Sequence, residues 1–419
     1  MVIILSEDYC LCTACSLLCD DIEVEIEGNS IVKIDTACLK GVSHIKGCGE
    51  PMPCTVDGET VDLDKATDEA AKILKEAEKP LIFGLSNSTL TAQEKAIELA
   101  KKLEAHIDDT SSFCQGPTLE AIFNGNVKTC TLDDVRNKAD VIVYWGADPS
   151  NSHPRHLSKY TYFPRGEERQ KGWEEDRTAI TIDVRKSHTA IICADKFYQI
   201  PLQADEEFIE ALVAALSGKV PKVSFDYDKK KILELANILK KAKFGAIFVG
   251  LGLVYSLESM EPLIKLMDKL NQVSNYHLTP MIGHYNMRGF NQQMFDETGY
   301  INRVKFDADG KATHGPENSM VELLNSKTVD AALIIGSDPL SSLPKTVAQH
   351  LKDIPLITID PCQTLTSRKA KVTIPSTLSG VECGGSAIRM DGVKVDFNPV
   401  METDKLSDEE IITKIMEAL

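Results

Sequence analysis

The sequence predicts an α/β protein in which two Rossmann-like, doubly wound domains follow a small β-rich domain clamped by cysteines. Three features carry this. Apolar runs of strand length alternate with amphipathic helical stretches, one strand-and-turn segment occurs twice, and five of the twelve cysteines crowd into the first 38 residues, ahead of the alternation. Buried strands separated by helices make a mostly parallel sheet, because each parallel crossover carries a helix that covers one face.

In chain order, Asp21–Asp35 alternates apolar and acidic residues around Gly28-Asn29, the pattern of a short hairpin with one buried face. From about residue 64 the period becomes helical. Ala66–Ala77 predicts an amphipathic helix, Pro80–Gly84 a buried strand and Ala92–Leu103 a second helix. The alternation continues through strands at Val141–Trp145, Ile180–Asp183, Ala246–Gly250, Ala332–Gly336 and Leu356–Asp360, with a helix over Glu206–Leu216. At 419 residues two or three domains are expected. They are placed at 1–57, with 375–400 as a completing segment, at 58–112 joined to 290–374, and at 113–289.

The repeat lies at Ala139–Arg155 (ADVIVYWGADPSNSHPR) and Val329–Lys345 (VDAALIIGSDPLSSLPK). Both copies have a strand, a Gly-x-Asp-Pro turn, a serine-containing stretch and a Pro-basic step. Each is followed by a second strand ending in an acid, Asp183 or Asp360. A duplicated strand–Gly turn with a carboxylate at the next strand tip suits two nucleotide tails, since backbone N–H groups hold phosphate and the acid holds base or ribose. The plainer alternative is a turn between strand and helix with no ligand.

The net charge of −17 argues against a nucleic-acid or anionic-membrane partner, both of which need clustered Lys and Arg. The start has only the apolar stretch Val2–Leu5, without a basic region or twin arginine, and no run of about 18 apolar residues occurs, so a cytoplasmic protein is expected. In a reducing compartment cysteines point to metal rather than disulfides. Cys12-x2-Cys15-x3-Cys19 with Cys38 suits a [4Fe–4S] cluster, whose four irons each take one thiolate. Structural zinc also takes four thiolates, and Cys48 or Cys54 competes with Cys38 as the fourth. Cys10 and Cys130 have no assigned role; Cys362 and Cys383 read as packed thiols.

Cys12-x2-Cys15-x3-Cys19…Cys38-x-Lys40-Gly41 resembles the start of the dimethyl sulfoxide reductase superfamily, enzymes with a molybdenum or tungsten bis(pterin guanine dinucleotide) cofactor. Further matches follow in family order: Phe113-Cys114-Gln115-Gly116, Tyr144–Pro149 through His153-Pro154, Ile182–Ala190, and Asn286-Met287-Arg288-Gly289-Phe290-Asn291, which looks like the N-x-R-G-x-N segment of formate dehydrogenases. Within the superfamily the chain most resembles the B-subunit family of formylmethanofuran dehydrogenase, through Cys-Ser-Leu-Leu-Cys-Asp-Asp at 15–21 and Cys-x-Gly-Pro-Thr at 114–118.

The resemblance implies a catalytic subunit that reduces carbon dioxide reversibly to formate for formylmethanofuran synthesis in methanogenesis. Cys114 is then the molybdenum or tungsten ligand, the metal staying open because both accept the same ligands. Cys12, Cys15, Cys19 and Cys38 hold the [4Fe–4S] cluster, and Lys40 bridges cluster and pterin. Gly146, Asp148, Gly336 and Asp338 lie near pyrophosphate, Asp183 and Asp360 bind guanine or ribose, and Arg185 pairs with a phosphate. Arg288 forks onto the two substrate oxygens. Formate dehydrogenases have His after the metal ligand; Gln115 here cannot act as a base, which leaves His284 as candidate proton carrier. Expected partners are a small subunit supplying the pterin-binding domain that this chain is expected to lack, an amidohydrolase-like subunit and ferredoxin-like subunits. Two rival readings are a formate dehydrogenase-type catalytic subunit and a non-catalytic electron-relay or scaffold subunit.

Overall fold

The computed structural model describes residues 9–28, 30–47 and 52–419. The Val2–Leu5 stretch, the Asn29 hairpin tip and Cys48 lie outside the described residues. Two compact units emerge: Met1–Phe113 with His284–Arg389 and Val393–Leu419, and Cys114–Gly283 with Met390–Gly392.

In the first unit, Tyr9–Cys12, Cys19–Glu27 and Ser30–Asp35 pair in that order as an antiparallel sheet. This cysteine sheet belongs to the larger unit because its core is shared: Leu11 and Leu18 pack with Tyr285, Ala387, Val395 and Phe397. Thr13 Oγ1 also donates to the Ser379 carbonyl at 2.7 Å.

The main sheet of the first unit has nine strands in the order Ala312–His314, Val304–Phe306, His106–Asp108, Pro80–Gly84, Ala331–Ile335, Leu356–Asp360, Val372–Pro375, Thr55–Val56 and Glu59–Thr60. The five from His106–Asp108 to Val372–Pro375 are parallel, and the two pairs at the edges run antiparallel. Numbered along the chain, the parallel strands run 2-1-3-4-5, the flavodoxin-like order rather than the Rossmann one. Helices Leu63–Glu76, Leu90–Lys102 and Asp408–Ala418 bury Ala70, Leu74, Ala96, Ile411 and Ile415 against Ile82, Leu333 and Ile357. Each fully buried aliphatic side chain contributes about 1.5–3 kcal/mol. Two of these helices begin ahead of their apolar stripe because Asp62 caps Lys65 N at 2.8 Å and Thr89 caps Ala92 N at 3.2 Å.

The second unit carries five parallel strands in the order Lys196–Gln199, Thr178–Asp183, Val141–Trp145, Gly245–Val249 and Tyr276–Pro280. Along the chain this is 3-2-1-4-5, the Rossmann order. Its core joins Val143, Ile180 and Ile247 to Phe208, Leu212, Leu235 and Leu266 from helices Asp205–Leu216, Lys229–Lys241 and Glu261–Val273. In each sheet the order reverses once, between Pro80–Gly84 and Ala331–Ile335 in the first and between Val141–Trp145 and Gly245–Val249 in the second. Ligands of open α/β sheets bind in the crevice outside the strand ends at such a reversal. Among the described residues no helix is long and apolar enough to cross a membrane.

Candidate functional site

Cys12 closes the first strand and Cys19 opens the second, and the antiparallel register sets them opposite each other. Cys38 caps the helix Leu39–Ile45, its Sγ accepting from Gly41 N at 3.4 Å. A Cβ on residue 41 would sit 3.1 Å from Cys12 Sγ and 3.8 Å from Cys38 Sγ, so the glycine keeps open a space beside both sulfurs. Burial pushes the Cys12 and Cys15 thiols up; the charges of Cys19, Cys15 and Cys38 add to this at Cys12, while Lys40 opposes it at Cys15. The four thiols thus share one electrostatic patch. Among the described residues no three His, Cys, Asp or Glu groups form a single-ion site; in an iron–sulfur cube each sulfur binds its own iron, and the four need not converge on one point. Four neighbouring thiols, a nearby ammonium and a glycine-made gap fit such a cluster.

The other cysteines are placed differently. Cys10 is fully buried with its thiol pushed up to about 12 by burial, and Sγ donates to the Gly380 carbonyl at 3.3 Å. Cys54 points to the Asp62 carbonyl at 3.8 Å, and Cys383 to Ser379 Oγ at 3.9 Å. Burial raises the Cys130 thiol, with Asp134 and Asp391 adding to it. Cys362 is disulfide-bonded, which corrects the expectation of a packed free thiol there.

The two repeat turns are nearly superimposable in conformation. Gly146 and Gly336 have φ of 56° and 57°, and Asp148 and Asp338 share ψ of 71° with φ of −126° and −123°. Asp148 Oδ1 accepts from Thr189 N at 2.9 Å and Thr189 Oγ1 at 2.7 Å; Asp338 Oδ1 accepts from Thr366 N at 2.9 Å and Thr366 Oγ1 at 2.6 Å. Both carboxylates therefore brace their turns, and what the turns present to a ligand is backbone. Burial raises the Asp148 carboxyl, but the Thr189 and Asn151 hydrogen bonds outweigh it and leave it below its ordinary value. At the strand tips, burial raises Asp183, while burial, opposed by the Cys362 N–H, and the charges of Asp408 and Asp338 push Asp360 up to about 7. Arg185 is largely exposed, its Nη2 lying 3.9 Å from Asp148 Oδ2.

The strand His106–Asp108 runs into a tight turn at Thr110–Phe113, and Cys114 follows, half-buried. Gln115 then precedes the helix Gly116–Phe123, whose first turn holds Pro117. Its Nε2 donates to the Val249 carbonyl at 3.0 Å, and its Oε1 is buried without a partner. Tyr255 is raised by burial and then by the charge of Cys114.

Arg288 sits in the first turn of the helix Met287–Thr298 with 9% of its surface exposed. Asn286 anchors that start: its N donates to Ser86 O at 3.0 Å, Nδ2 to Ser88 O at 2.7 Å, and its Oδ1 accepts from Ile388 N at 2.8 Å. Gly289 is required because a Cβ there would lie 2.1 Å from Asn286 Oδ1. His284 Nδ1 is 3.2 Å from Asn87 Oδ1, and Asn87 Nδ2 donates to Gly336 O at 3.0 Å, at the strand reversal of the first sheet. Burial first, then Lys40, holds His284 down to about 4, so the ring is neutral at neutral pH. Cys114 opens the second unit, and Arg288 belongs to the first.

No family model matches the chain. It is 37% identical over 419 residues to the B-subunit of the tungsten-containing formylmethanofuran dehydrogenase 2 of Methanocaldococcus jannaschii, with 96% of each protein covered. It is 35% identical to the protein of the same name from Methanococcus maripaludis, across 97% of each. The chain belongs to the formylmethanofuran dehydrogenase B-subunit family. Among solved structures, it matches a chain of the formyltransferase/hydrolase complex FhcABCD from Methylorubrum extorquens, crystallised with methylofuran, at a TM-score of 0.69 and 21% identity, covering 87% of this chain and 98% of that one. That likeness is one of fold.

In this member of the formylmethanofuran dehydrogenase B-subunit family, four residues to which the sequence assigned no role are fully buried. They are the two asparagines of the N-x-R-G-x-N segment, Asn286 and Asn291, and the acids Asp108 and Asp109 at the strand end leading to Cys114. The motif marked the two asparagines without giving them a role; for the two acids only the residue type offered a signal, since buried Asp needs partners.

Proposed function

We propose that this chain is the catalytic subunit of a tungsten-containing formylmethanofuran dehydrogenase, reversibly reducing carbon dioxide to formate for formylmethanofuran synthesis. The observations that carry this beyond family membership are geometric: Cys12 faces Cys19 across the strand pair, Gly41 leaves room beside the Cys12 and Cys38 sulfurs, and Arg288 is buried in the first turn of its helix. A tungsten bis(pterin guanine dinucleotide), when bound, supplies the two-electron redox centre.

Every other role falls to the chain. Cys114 offers the soft thiolate that such a metal takes. The Gly146 and Gly336 turns present backbone N–H groups to the two pyrophosphates, Asp148 and Asp338 brace those turns, and Asp183 and Asp360 take base or ribose groups. Arg185, on the exposed rim, suits a phosphate. Arg288 holds both oxygens of formate or carbon dioxide in a planar fork. His284, neutral at neutral pH, offers a hydrogen bond rather than a charge, and the Gln115 amide holds no proton for transfer. Cys12, Cys15, Cys19 and Cys38 would hold the iron–sulfur cluster, which would supply one-electron transfer from ferredoxin-like subunits; a small subunit would complete the pterin site, and an amidohydrolase-like subunit would condense the formate with methanofuran. The assembly named FhcABCD in the structural relative supports a multi-subunit setting.

Arg288→Lys in the native complex tests the assignment. Lysine keeps the charge but loses the fork. The expected loss in kcat/KM for the carbon substrate is about 2–3 kcal/mol, roughly 30- to 150-fold, with iron and tungsten content unchanged. Full activity in this variant removes Arg288 from the substrate site.

A further inference from the structure

At the end of the strand His106–Asp108 the first unit buries two consecutive carboxylates, Asp108 and Asp109, both with 0% exposure. Burying one carboxylate is costly unless hydrogen bonds compensate, and two neighbours repel each other as well. Asp108 has a local explanation. It accepts from Arg303 N at 3.1 Å, Met320 N at 2.8 Å and Ser112 Oγ at 2.9 Å, and so pins the loops that return to the strand end.

Asp109 has a different set of partners. Its Oδ2 accepts from Ser86 Oγ at 2.8 Å, and its Oδ1 accepts from Ser111 Oγ and from Asn291 Nδ2, the latter at 3.3 Å. These donors come from three places. Ser86 lies in the loop after Pro80–Gly84, and its carbonyl receives the Asn286 N–H that starts the Arg288 helix. Ser111 lies in the turn that continues into Cys114. Asn291 lies within the helix Met287–Thr298, three residues after Arg288, and its Nδ2 also donates to Ser111 Oγ at 2.9 Å and Ile301 O at 2.9 Å. One acceptor group therefore joins the helix carrying Arg288, the loop that anchors its first turn, and the turn before Cys114. Packing alone does not call for a carboxylate here; a carboxylate accepts on both sides at once, whereas an amide would turn its NH2 toward one hydroxyl and reverse that bond.

We propose that Asp109 is a positioning residue for the reaction assigned above, fixing the first turn of the Arg288 helix to the turn that runs into Cys114. This role rests on that assignment. It explains both asparagines of the N-x-R-G-x-N segment: Asn286 fastens the helix start to the Ser86 loop, and Asn291 fastens the next turn to Ser111, whose hydroxyl donates to Asp109. Arg288 is held between the two.

The test compares Asp109→Asn with Asp108→Asn in the native complex. Both variants remove one fully buried carboxylate from adjacent positions, so a purely structural role predicts similar falls in thermal stability and no change in substrate affinity for either. A positioning role predicts that Asp109→Asn alone weakens equilibrium formate binding, read by calorimetry, and raises KM, each by roughly ten-fold, because the guanidinium no longer rests where the substrate oxygens lie. Iron and tungsten content are expected at wild-type levels. Ser111→Ala, which removes one donor from Asp109, is expected to shift affinity in the same direction by a smaller factor, and it decides the matter where Asp109→Asn fails to assemble. Formate affinity within two-fold of wild type in the assembled Asp109→Asn variant, or failing assembly in Ser111→Ala, overturns the proposal. A wild-type complex that binds no formate and holds no tungsten overturns the functional assignment and this inference with it, whereas a normal wild type with unchanged variants overturns this inference alone.

Discussion

Replacing Cys114 by alanine is expected to abolish turnover and tungsten retention together while leaving iron content and the cluster spectrum unchanged. The four thiols proposed to hold the cluster lie in the first unit and Cys114 opens the second, so the substitution removes the proposed metal ligand without touching Cys12, Cys15, Cys19 or Cys38. A soft thiolate is lost and alanine offers no donor. The expected fall in kcat is about 1,000-fold or more, the scale of removing a group that touches the reacting centre. Cys130→Ala is the matched control: that half-buried thiol has no proposed role, and its loss is expected to cost about 1–2 kcal/mol of stability and no activity. Metal analysis, electron paramagnetic resonance of the reduced cluster and steady-state turnover on both variants check the prediction, and a Cys114→Ala complex that keeps its tungsten contradicts it.

The second large effect comes from the repeat. Gly146 and Gly336 occupy equivalent turns at nearly the same positive φ, yet their surroundings differ. A Cβ on residue 146 would stand 2.3 Å from Leu253 N and 2.8 Å from the Gly252 carbonyl carbon, whereas one on residue 336 would meet Asn87 Cβ at 3.5 Å, an ordinary contact. Alanine at 336 thus meets only the left-handed backbone penalty, about 1–2 kcal/mol. Alanine at 146 must also displace backbone of the segment after Gly245–Val249, at the strand reversal of the Rossmann sheet. Gly146→Ala is expected to cost more than about 4 kcal/mol or to prevent folding, with Gly336→Ala folded and mildly destabilised. Denaturant titration of both variants tests the contrast; equal losses contradict it.

The strands were the most legible part of the sequence. Pro80–Gly84, Val141–Trp145 and Leu356–Asp360 stand where the apolar runs placed them, since a fully buried parallel strand writes itself as consecutive apolar residues. Helix starts were less legible because Asp62 and Thr89 act through one cap hydrogen bond each and leave no apolar periodicity. Strand order was not legible: the flavodoxin-like arrangement of the first unit and the Rossmann arrangement of the second arise from the same local alternation. Spacing put Cys12, Cys15, Cys19 and Cys38 in one group, and the fold sets Cys12 opposite Cys19 and places Gly41 beside the Cys12 and Cys38 sulfurs. The acids of the repeat show the limit of a local reading. Asp148 and Asp338 look ligand-directed beside Gly, but their carboxylates are taken by Thr189 and Thr366, 41 and 28 residues away. Asp109 was hidden for the same reason, because Ser86 and Asn291 meet it only after folding.

A catalytic role requires one chain to hold both the cluster and the pterin-bound tungsten. Elemental analysis of the native complex, with quantification of the nucleotide released by acid, is the sharpest test of that requirement. About four irons are predicted on this chain's cysteines, together with tungsten and guanine nucleotide in a ratio of about one to two, as a bis(pterin guanine dinucleotide) requires. Iron without tungsten or guanine nucleotide contradicts the catalytic role and makes the chain an electron-relay subunit.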